Sequence, residues 1–151
     1  RAFAEVVEKA DDQVVVIDTA PTGHTLLLLE STQSYNHEIQ RTKGEIPESV
    51  ARLLPRLKSA ETEVVIVTLP EATPVYEALR LEDDLKRAGI AAKWWVVNQS
   101  LYRTNTTNPV LAAKATAEVE WLNLVDGHAC GKFALISWSP EEVKGERLLK
   151  L

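Results

Sequence analysis

The sequence predicts an α/β fold in which helices flank an open, mostly parallel sheet. Apolar runs alternate along the chain with segments of helical periodicity, and polar residues follow each run. The runs rich in β-branched residues are Val14–Ile17, Val64–Val67 and Trp94–Val97, with Phe133–Ile136 as a fourth. Since polar and apolar residues do not alternate within them, these runs are typical of strands buried on both faces of a parallel sheet. Repeated strand–helix–strand units then imply right-handed crossovers.

The first half of the chain contains two predicted helices. Apolar residues recur at helical spacing over residues 1–10, which predicts the first of them. A second helix is expected where Thr73 can cap and Pro74 can take the first helical position, and it should end before Gly89. Between the two, residues 31–59 break the rhythm and are predicted to form a surface insertion, part loop and part short helix.

The second half of the chain contains two more predicted helices. Asn108 followed by Pro109 predicts the start of a helix that should run to about Leu122. The segment Val143–Leu151 has the pattern of a last, amphipathic helix.

Several conspicuous side chains have structural interpretations. Glu82 and Lys86 form an i,i+4 pair that is expected on the solvated side of its helix. Trp94 and Trp95 are neighbours on one predicted strand and should therefore point to opposite faces of the sheet. His128 is expected in a loop, exposed to solvent.

Composition places the chain among globular proteins and limits its partners. Its 151 residues suffice for one domain, and 45% of them are hydrophobic and 26% charged. The net charge of −5 argues against nucleic-acid binding, and no apolar run approaches the ~20 residues of a membrane helix. The single cysteine, Cys130, excludes an internal disulfide and a zinc–cysteine cluster, which is typical of the reducing cytosol.

The residues directly after each strand are the candidates for chemistry, because ligands of an open parallel sheet bind beyond the carboxyl ends of its strands. The run Val14–Ile17 is followed by Asp18, which is the form of a Walker B strand. Such a carboxylate can hold a water of a phosphate-bound Mg²⁺. Strands also end in aspartate for reasons of turn geometry, and this feature alone favours the turn.

A longer segment changes this balance. The residues Asp18–Leu26 read D-T-A-P-T-G-H-T-L, which strongly resembles the signature of the arsenite-pump-driving ATPases. These are P-loop ATPases of the deviant-Walker, SIMIBI type. The resemblance continues at Val67–Val75, similar to the family's V-T-L-P-E-x-T-P-V, and also at Arg87–Ile90 and Val97–Leu101. It covers most of the chain in the expected order.

The resemblance implies a role for each matching residue. Asp18 would be the catalytic carboxylate and would hold Mg²⁺ through a water. Asn98 would present its amide to the adenine edge, and Pro140 would lie against the base from the other side. His24 would bind the metalloid through its neutral imidazole. The switch loop that senses the γ-phosphate would comprise Thr19, Ala20, Pro21, Thr22, Gly23 and Thr25.

These 151 residues contain no phosphate-binding loop. The nearest string, Gly127 to Phe133, is one residue too short for G-x-x-x-x-G-K-[ST], lacks the hydroxyl residue and precedes a strand. The family carries this loop upstream of its signature. The chain is therefore expected to be a partial P-loop NTPase fold without the P-loop strand, forming over 1–151 the C-terminal part of one nucleotide-binding domain. We expect no ATP hydrolysis by this chain alone.

The implied function is that of a cytoplasmic ATPase, peripheral to the inner membrane, which couples ATP hydrolysis to arsenite or antimonite efflux. ATP and Mg²⁺ would be its cofactors, and arsenite or antimonite its allosteric ligand. Its partners would be the membrane efflux pump subunit and a homologous ATPase half or second subunit, without direct membrane insertion. Two alternatives stay open: an ATPase that targets tail-anchored membrane proteins, disfavoured by the absence of methionine, and a non-catalytic α/β regulatory domain.

Overall fold

The computed structural model describes residues 13–18 and 55–141. In these ranges the main elements are β1 (Val64–Thr68), α1 (Ala72–Arg87), β2 (Ala92–Ser100), α2 (Pro109–Ala129) and β3 (Phe133–Ser137). The chain divides into two compact units. The first comprises Arg1–Glu63 with Arg87–Ile90, and the second comprises Val64–Lys86 with Ala91–Leu151. The sheet belongs to the second unit.

The sheet is parallel and open, as predicted. Its three described strands lie in the order β1-β2-β3, so that β2 pairs with a neighbour on each side. Thr68 of β1 lies opposite Val97 of β2, and Ser100 of β2 lies opposite Ser137 of β3. Because α1 and α2 each connect two adjacent strands, the α/β class inferred from the sequence is confirmed.

The two helices lie side by side and run in the same direction. Three pairs of side chains join them, in the order Glu71–Lys114, Tyr76–Trp121 and Glu82–His128. The rings of Tyr76 and Trp121 meet edge to face, with centroids 5.7 Å apart and an interplanar angle of 74°. Since the contacts follow the same order along both helices, α1 and α2 are parallel and cover the same face of the sheet.

The strands are buried on one face only within the described part of the chain. Ile66 and Trp95 are 2% and 1% exposed, whereas Val67 and Trp94 are 62% and 49% exposed. Adjacent side chains of a strand point to opposite faces, so the covered face is the one that receives both helices. The expectation of burial on both faces is wrong for these residues. The prediction that the two tryptophans face opposite sides is confirmed.

Helix α1 begins earlier than its sequence indicates. Val75 N donates to Glu71 O at 3.0 Å, which is the first hydrogen bond of the helix. Glu71 therefore occupies the cap position that was assigned to Thr73, and Pro74 lies inside the first turn. The helix ends before Gly89, as predicted, and this glycine has a left-handed φ of 75°.

Helix α2 begins as predicted and ends later. Asn108 Oδ1 accepts hydrogen bonds from Val110 N and Leu111 N at 3.0 and 3.3 Å, which satisfies two free amides of the first turn. The helix continues past Leu122 to Ala129 because its buried stripe, formed by Glu118, Leu122, Val125 and Ala129, continues at helical spacing. The segment Gly127 to Phe133 is thus the end of a helix that leads into a strand. A phosphate-binding loop would instead lead into a helix, so this segment is not one.

The surroundings of Glu82 and His128 differ from those expected. Glu82 is 5% exposed instead of solvated, with Lys86 Nζ and His128 Nδ1 at 3.0 and 3.4 Å from its Oε2. Helix α2 packs against α1 at this point and removes the carboxylate from water. His128 lies in the last turn of α2 and not in a loop, although it is exposed to solvent as predicted.

The first predicted strand is not present. Residues Val14–Ile17 belong to no strand, and Val14 and Val16 are almost fully exposed. A β-branched run becomes a strand only where another strand pairs with it, and no described strand does so here. The predicted helices at 1–10 and Val143–Leu151, and nearly all of the predicted insertion at 31–59, lie outside the described residues.

Trp95 and Trp94 give a direct test of the one-sided core. We expect Trp95→Ala to lower the free energy of unfolding by about 3–5 kcal/mol, because it leaves a large cavity between sheet and helices. Trp94→Ala should cost less than about half as much, since half of its side chain already meets solvent. Urea unfolding of the 151-residue chain, followed by far-UV circular dichroism, measures both. Equal losses would contradict burial on a single face.

Candidate functional site

The carboxyl ends of the three strands lie at one edge of the sheet, as they must in a parallel arrangement. Strand β1 ends at Thr68 and is followed by Pro70 and Glu71; Thr68 and Pro70 are buried. Strand β2 ends at Ser100, and the segment after β3 leads to Pro140. Buried and exposed polar side chains thus follow neighbouring strands at this edge, which makes it the candidate site.

The ends of β2 and β3 are joined beyond the regular ladder. The register between these strands shifts between Val97 and Ser100, which leaves a bulge in β2. Trp138 N then donates to Ser100 O at 2.8 Å and continues the pairing past β3. Asn98 and Pro140 are therefore carried by neighbouring segments, each two residues away from this hydrogen bond. Pro140 is exposed.

The bulge fixes the orientation of the Asn98 side chain. Gln99 has a φ of 58°, a left-handed conformation that a residue other than glycine adopts at a cost of about 1–3 kcal/mol. In this conformation Gln99 N donates to Asn98 Oδ1 at 2.9 Å. A carboxamide oxygen has two lone pairs, so Oδ1 can accept a further hydrogen bond beside the Nδ2 donor. The side chain of Asn98 thus presents Oδ1 as an acceptor and Nδ2 as a donor, in an orientation fixed by Gln99 N.

A buried carboxylate from α2 holds the backbone that follows the bulge. Glu118 is 2% exposed. Its Oε2 accepts hydrogen bonds from Ser100 Oγ at 2.8 Å, from Leu101 N at 2.9 Å and from Tyr102 N at 3.2 Å. Leu101 N also reaches Oε1 at 3.2 Å, and Tyr102 N reaches Ser100 Oγ at 3.2 Å. One side chain therefore collects a hydroxyl and two consecutive backbone amides.

This arrangement explains how a carboxylate is tolerated inside the protein. A carboxylate accepts hydrogen bonds, and its three partners here, one hydroxyl and two backbone amides, all donate to it. Hydrogen bonds to a charged group contribute about 1.5–3 kcal/mol each, which offsets the loss of hydration. Removing one side of such a buried arrangement costs about 3–5 kcal/mol, because the other side stays desolvated without partners.

Lys114 makes a similar connection to the segment after β1, but at the surface. Its Nζ donates to Glu71 Oε1 at 2.8 Å, and about half of each side chain is exposed. The hydrogen bond to Glu71 and its negative charge raise the pKa of Lys114 above the ordinary value of 10.5, and the charge of Glu118 adds to this. Helix α2 therefore contacts the segments that follow both β1 and β2.

Asp18 belongs to the first unit and is exposed. A single accessible carboxylate fits Mg²⁺ on a nucleotide, since this ion takes one or two carboxylates and fills its remaining positions with phosphate oxygens and water. The described ranges contain no cluster of three or more histidine, cysteine or acidic side chains that could hold a metal ion by itself. The proposed loop residues Thr19–Thr25, with His24, lie outside the described residues.

The sequence interpretation missed the residues that support this edge. Glu118, Lys114 and Ser100 were not singled out, although Glu118 carries a readable signal. It shares the helical spacing of Leu122 and Val125, so an acidic residue stands on an apolar stripe. Its partners are 16 to 18 residues away along the chain, and their identity follows only from the fold.

Comparison with known proteins connects the whole chain to one family. A family model described as an anion-transporting ATPase matches residues 1–58 and 48–151. The chain is 40% identical over its full length to an arsenical pump-driving ATPase of Escherichia coli, of which it covers 26%. It is 27% identical over 97% of its length to a putative arsenical pump-driving ATPase of Halobacterium salinarum, covering 25% of that protein. The ATPase GET3A of Arabidopsis thaliana is 27% identical over 99% of the chain, which covers 53% of it.

The Lys114–Glu71 pair predicts a pH dependence. Because the folded-state pKa of Lys114 is raised, the contribution of the pair to stability is present below pH 10.5 and is lost as the pH rises through the raised value. Glu71→Gln should return the pKa of Lys114 towards 10.5 and change stability by no more than about 1 kcal/mol. Titration of the lysine Cε resonances by NMR measures the shift. Glu77→Gln, which removes an exposed partner of Arg80, is the control and should leave Lys114 unchanged.

Proposed function

Because the chain belongs to the anion-transporting ATPase family, we propose that it is part of a cytoplasmic ATPase that couples ATP hydrolysis to arsenite or antimonite efflux through a membrane pump. The chain spans about a quarter of the arsenical pump-driving relatives that it matches. The proposal therefore concerns the whole protein, to which 1–151 contributes part of one nucleotide-binding domain.

One observation carries the proposal: the chain matches an arsenical pump-driving ATPase from end to end at 40% identity. The segment D-T-A-P-T-G-H-T-L at Asp18–Leu26 adds to it, because in its sequence a carboxylate is followed by threonines and a glycine. A loop that reshapes on hydrolysis needs a residue that tolerates positive φ, and Gly23 supplies one.

In this proposal Asp18 and the residues after it act on the phosphates. Asp18 would hold Mg²⁺ through a water, and Thr19–Thr25 would respond to the presence of the γ-phosphate. Mg²⁺ supplies neutralisation of the charge on the β- and γ-phosphates when it is bound. The chain itself carries no phosphate-binding loop, so its own residues supply one side of such a site.

The edge of the sheet in the second unit would bind the base. Asn98 presents an oriented acceptor and donor, which suits the N6 amino group and a ring nitrogen of adenine. Pro140, on the neighbouring segment, would contact the base from the other side. The hydrogen bond between Trp138 N and Ser100 O supports this role, because it keeps the two segments adjacent.

His24 would bind arsenite or antimonite as the allosteric ligand. It directly follows Gly23 in the proposed switch loop, so metalloid binding and the state of the γ-phosphate would act on the same segment. A membrane efflux pump subunit and a homologous ATPase half or subunit would be the partners. No helix among the described residues is long and apolar enough to cross a bilayer.

The second candidate is an ATPase that targets tail-anchored membrane proteins. It is kept because the relatives of the chain also include the ATPases GET3A and GET3C of Arabidopsis thaliana, which are not named as arsenical pump ATPases. The lower identity of these relatives, 27% and 24%, and the absence of methionine from the chain speak for the first candidate. Stimulation of the ATPase by arsenite in the absence of any membrane-protein client separates the two.

Asp18→Asn in the whole protein tests the phosphate site. We expect the rate of ATP hydrolysis to fall by about 10²-fold or more, because the carboxylate no longer orients the metal, while ATP affinity changes only a few-fold. Steady-state phosphate release and equilibrium nucleotide binding measure the two quantities. Asp83→Asn, an exposed acidic residue of α1, is the control and should hydrolyse ATP at the wild-type rate. Full activity of Asp18→Asn would exclude the proposed role.

His24→Ala tests the metalloid site. Because couplings between sites amount to about 1–3 kcal/mol, the arsenite concentration for half-maximal stimulation should rise by roughly 5–150-fold, with basal ATP affinity near normal. His37→Ala, which removes the other histidine upstream of the described second unit, should leave the half-maximal concentration unchanged. Loss of ATP affinity without a change in arsenite response would instead assign His24 to the nucleotide site.

A further inference from the structure

Glu118 lies behind the proposed base contact and does not belong to it. Its carboxylate contacts Ser100, Leu101 and Tyr102, which follow Asn98 and Gln99 directly along the chain. One hydroxyl and two backbone amides thus anchor the segment that begins two residues after Asn98. The carboxylate itself is buried against the sheet and is not accessible to a ligand.

The conformation between Asn98 and this anchor is a strained one. Gln99 has a left-handed φ, a conformation that glycine adopts more easily than other residues. Such a conformation persists at a glutamine only where the surrounding structure enforces it. Two constraints act on the next residue: Ser100 O accepts from Trp138 N, and Ser100 Oγ donates to Glu118. If the anchor is removed, Gln99 can relax towards an ordinary conformation, and its N–H then leaves Asn98 Oδ1.

The orientation of the Asn98 amide decides which purine it accepts. With Oδ1 held by Gln99 N, the oxygen side can accept from the N6 amino group of adenine, while Nδ2 donates to a ring nitrogen. Guanine reverses this pattern, because it has the O6 acceptor and the N1 donor at the corresponding edge. A carboxamide free to rotate about its last bond can serve both bases, and one that is fixed discriminates between them.

We propose that Glu118 is a positioning residue for purine selectivity: its carboxylate, through Ser100, Leu101 and Tyr102, keeps the Gln99 bulge in the conformation that orients Asn98 for adenine. The inference rests on the proposed function, in which Asn98 contacts the base. In addition to that contact, the preference for adenine would then depend on a residue of α2 that lies outside the binding edge.

Glu118→Gln in the whole protein is the principal test. A glutamine keeps the size of the side chain but replaces one acceptor oxygen by a donor, which cannot accept from Leu101 N or Tyr102 N. It also removes the charge that strengthens the remaining hydrogen bonds. We expect the ratio of GTP to ATP dissociation constants, measured with fluorescent methylanthraniloyl derivatives of both nucleotides, to fall by about tenfold. Amide hydrogen exchange at Leu101 and Tyr102 should become faster in the same variant.

Ser100→Ala is the second test, and it introduces no change of charge. It deletes the Oγ that donates to Glu118 and accepts from Tyr102 N, so the selectivity ratio should fall in the same direction by a smaller factor. If Glu118→Gln does not fold, this variant decides the question. Unchanged selectivity in Ser100→Ala would then overturn the proposal.

Glu82→Gln is the matched control. Glu82 is also a buried glutamate on a helix that covers the same face of the sheet, but its partners are Lys86 and His128. It should lose stability as Glu118→Gln does and keep the wild-type selectivity. A folded Glu118→Gln protein whose selectivity matches that of Glu82→Gln would reduce Glu118 to a structural role and overturn the proposal.

Asn98→Ala distinguishes the proposed base contact of Asn98 from the positioning role of Glu118. If it abolishes the preference for ATP while Glu118→Gln and Ser100→Ala retain it, the base contact stands and the positioning role of Glu118 fails alone. If Asn98→Ala leaves the preference intact, the base contact itself is wrong and the role of Glu118 fails with it. The expected result is a reduced preference for ATP in all three variants, smallest in effect for Ser100→Ala, with Glu82→Gln unaffected.

Discussion

The carboxylate of Glu118 couples the position of α2 to the conformation of the segment after β2. A buried charge is tolerated only while its donors are in place, and here the donors are a hydroxyl and two backbone amides of that segment. The helix cannot pack fully on the sheet unless this segment adopts its bulged path. The hydrogen bond from Trp138 N to Ser100 O extends the same requirement to the segment after β3. One acidic side chain in the middle of a helix thus organises two of the three loops at the edge.

The side-chain pairs between the parallel helices α1 and α2 are spread along the length of both helices. Near the edge, Lys114 of α2 contacts Glu71 at the start of α1, where water still reaches both side chains. At the other end, the Glu82 carboxylate is enclosed between the two helices and meets His128 in the last turn of α2. Apolar contact between Tyr76 and Trp121 lies between these polar ends. Helix α2 is therefore the common support of the unit, because it contacts its neighbour over its length and reaches both β1 and β2 loops.

Local signals determined how much of this architecture the sequence could predict. The three strands, the Asn108 cap and the end of α1 at Gly89 follow from short-range patterns, and the structure has them as predicted. The run Val14–Ile17 has the same composition as the true strands but no described partner, and strand pairing is a property of distant segments. Likewise, the apolar runs could not show which face of the sheet the helices leave open.

In the candidate site as well, some residues could be predicted from the sequence and others only from the packing of distant segments. The resemblance to a family directed attention to Asn98 and Pro140, which lie on adjacent segments, and to Asp18, which lies in the other unit outside any strand. It gave no reason to select Glu118 or Glu82, because a family signature records the residues near the ligand. Their burial follows from helix packing, and the only local trace of it is an acidic residue at the spacing of an apolar stripe.

The order β1-β2-β3 has a consequence for how this unit folds. Each strand pairs with the strand that precedes it in the chain, and each helix packs beside the previous helix. The pairing of Val64 with Ala92 closes a loop of 28 residues, and that of Trp95 with Phe133 closes one of 38 residues. Crossovers of this length make parallel sheets slow to form, because chain entropy is lost before native contacts compensate for it. The Glu118 anchor itself closes a loop of only 16 to 18 residues. As the chain leaves the ribosome, the unit can therefore grow one strand and one helix at a time, each addition docking on a surface that is already formed.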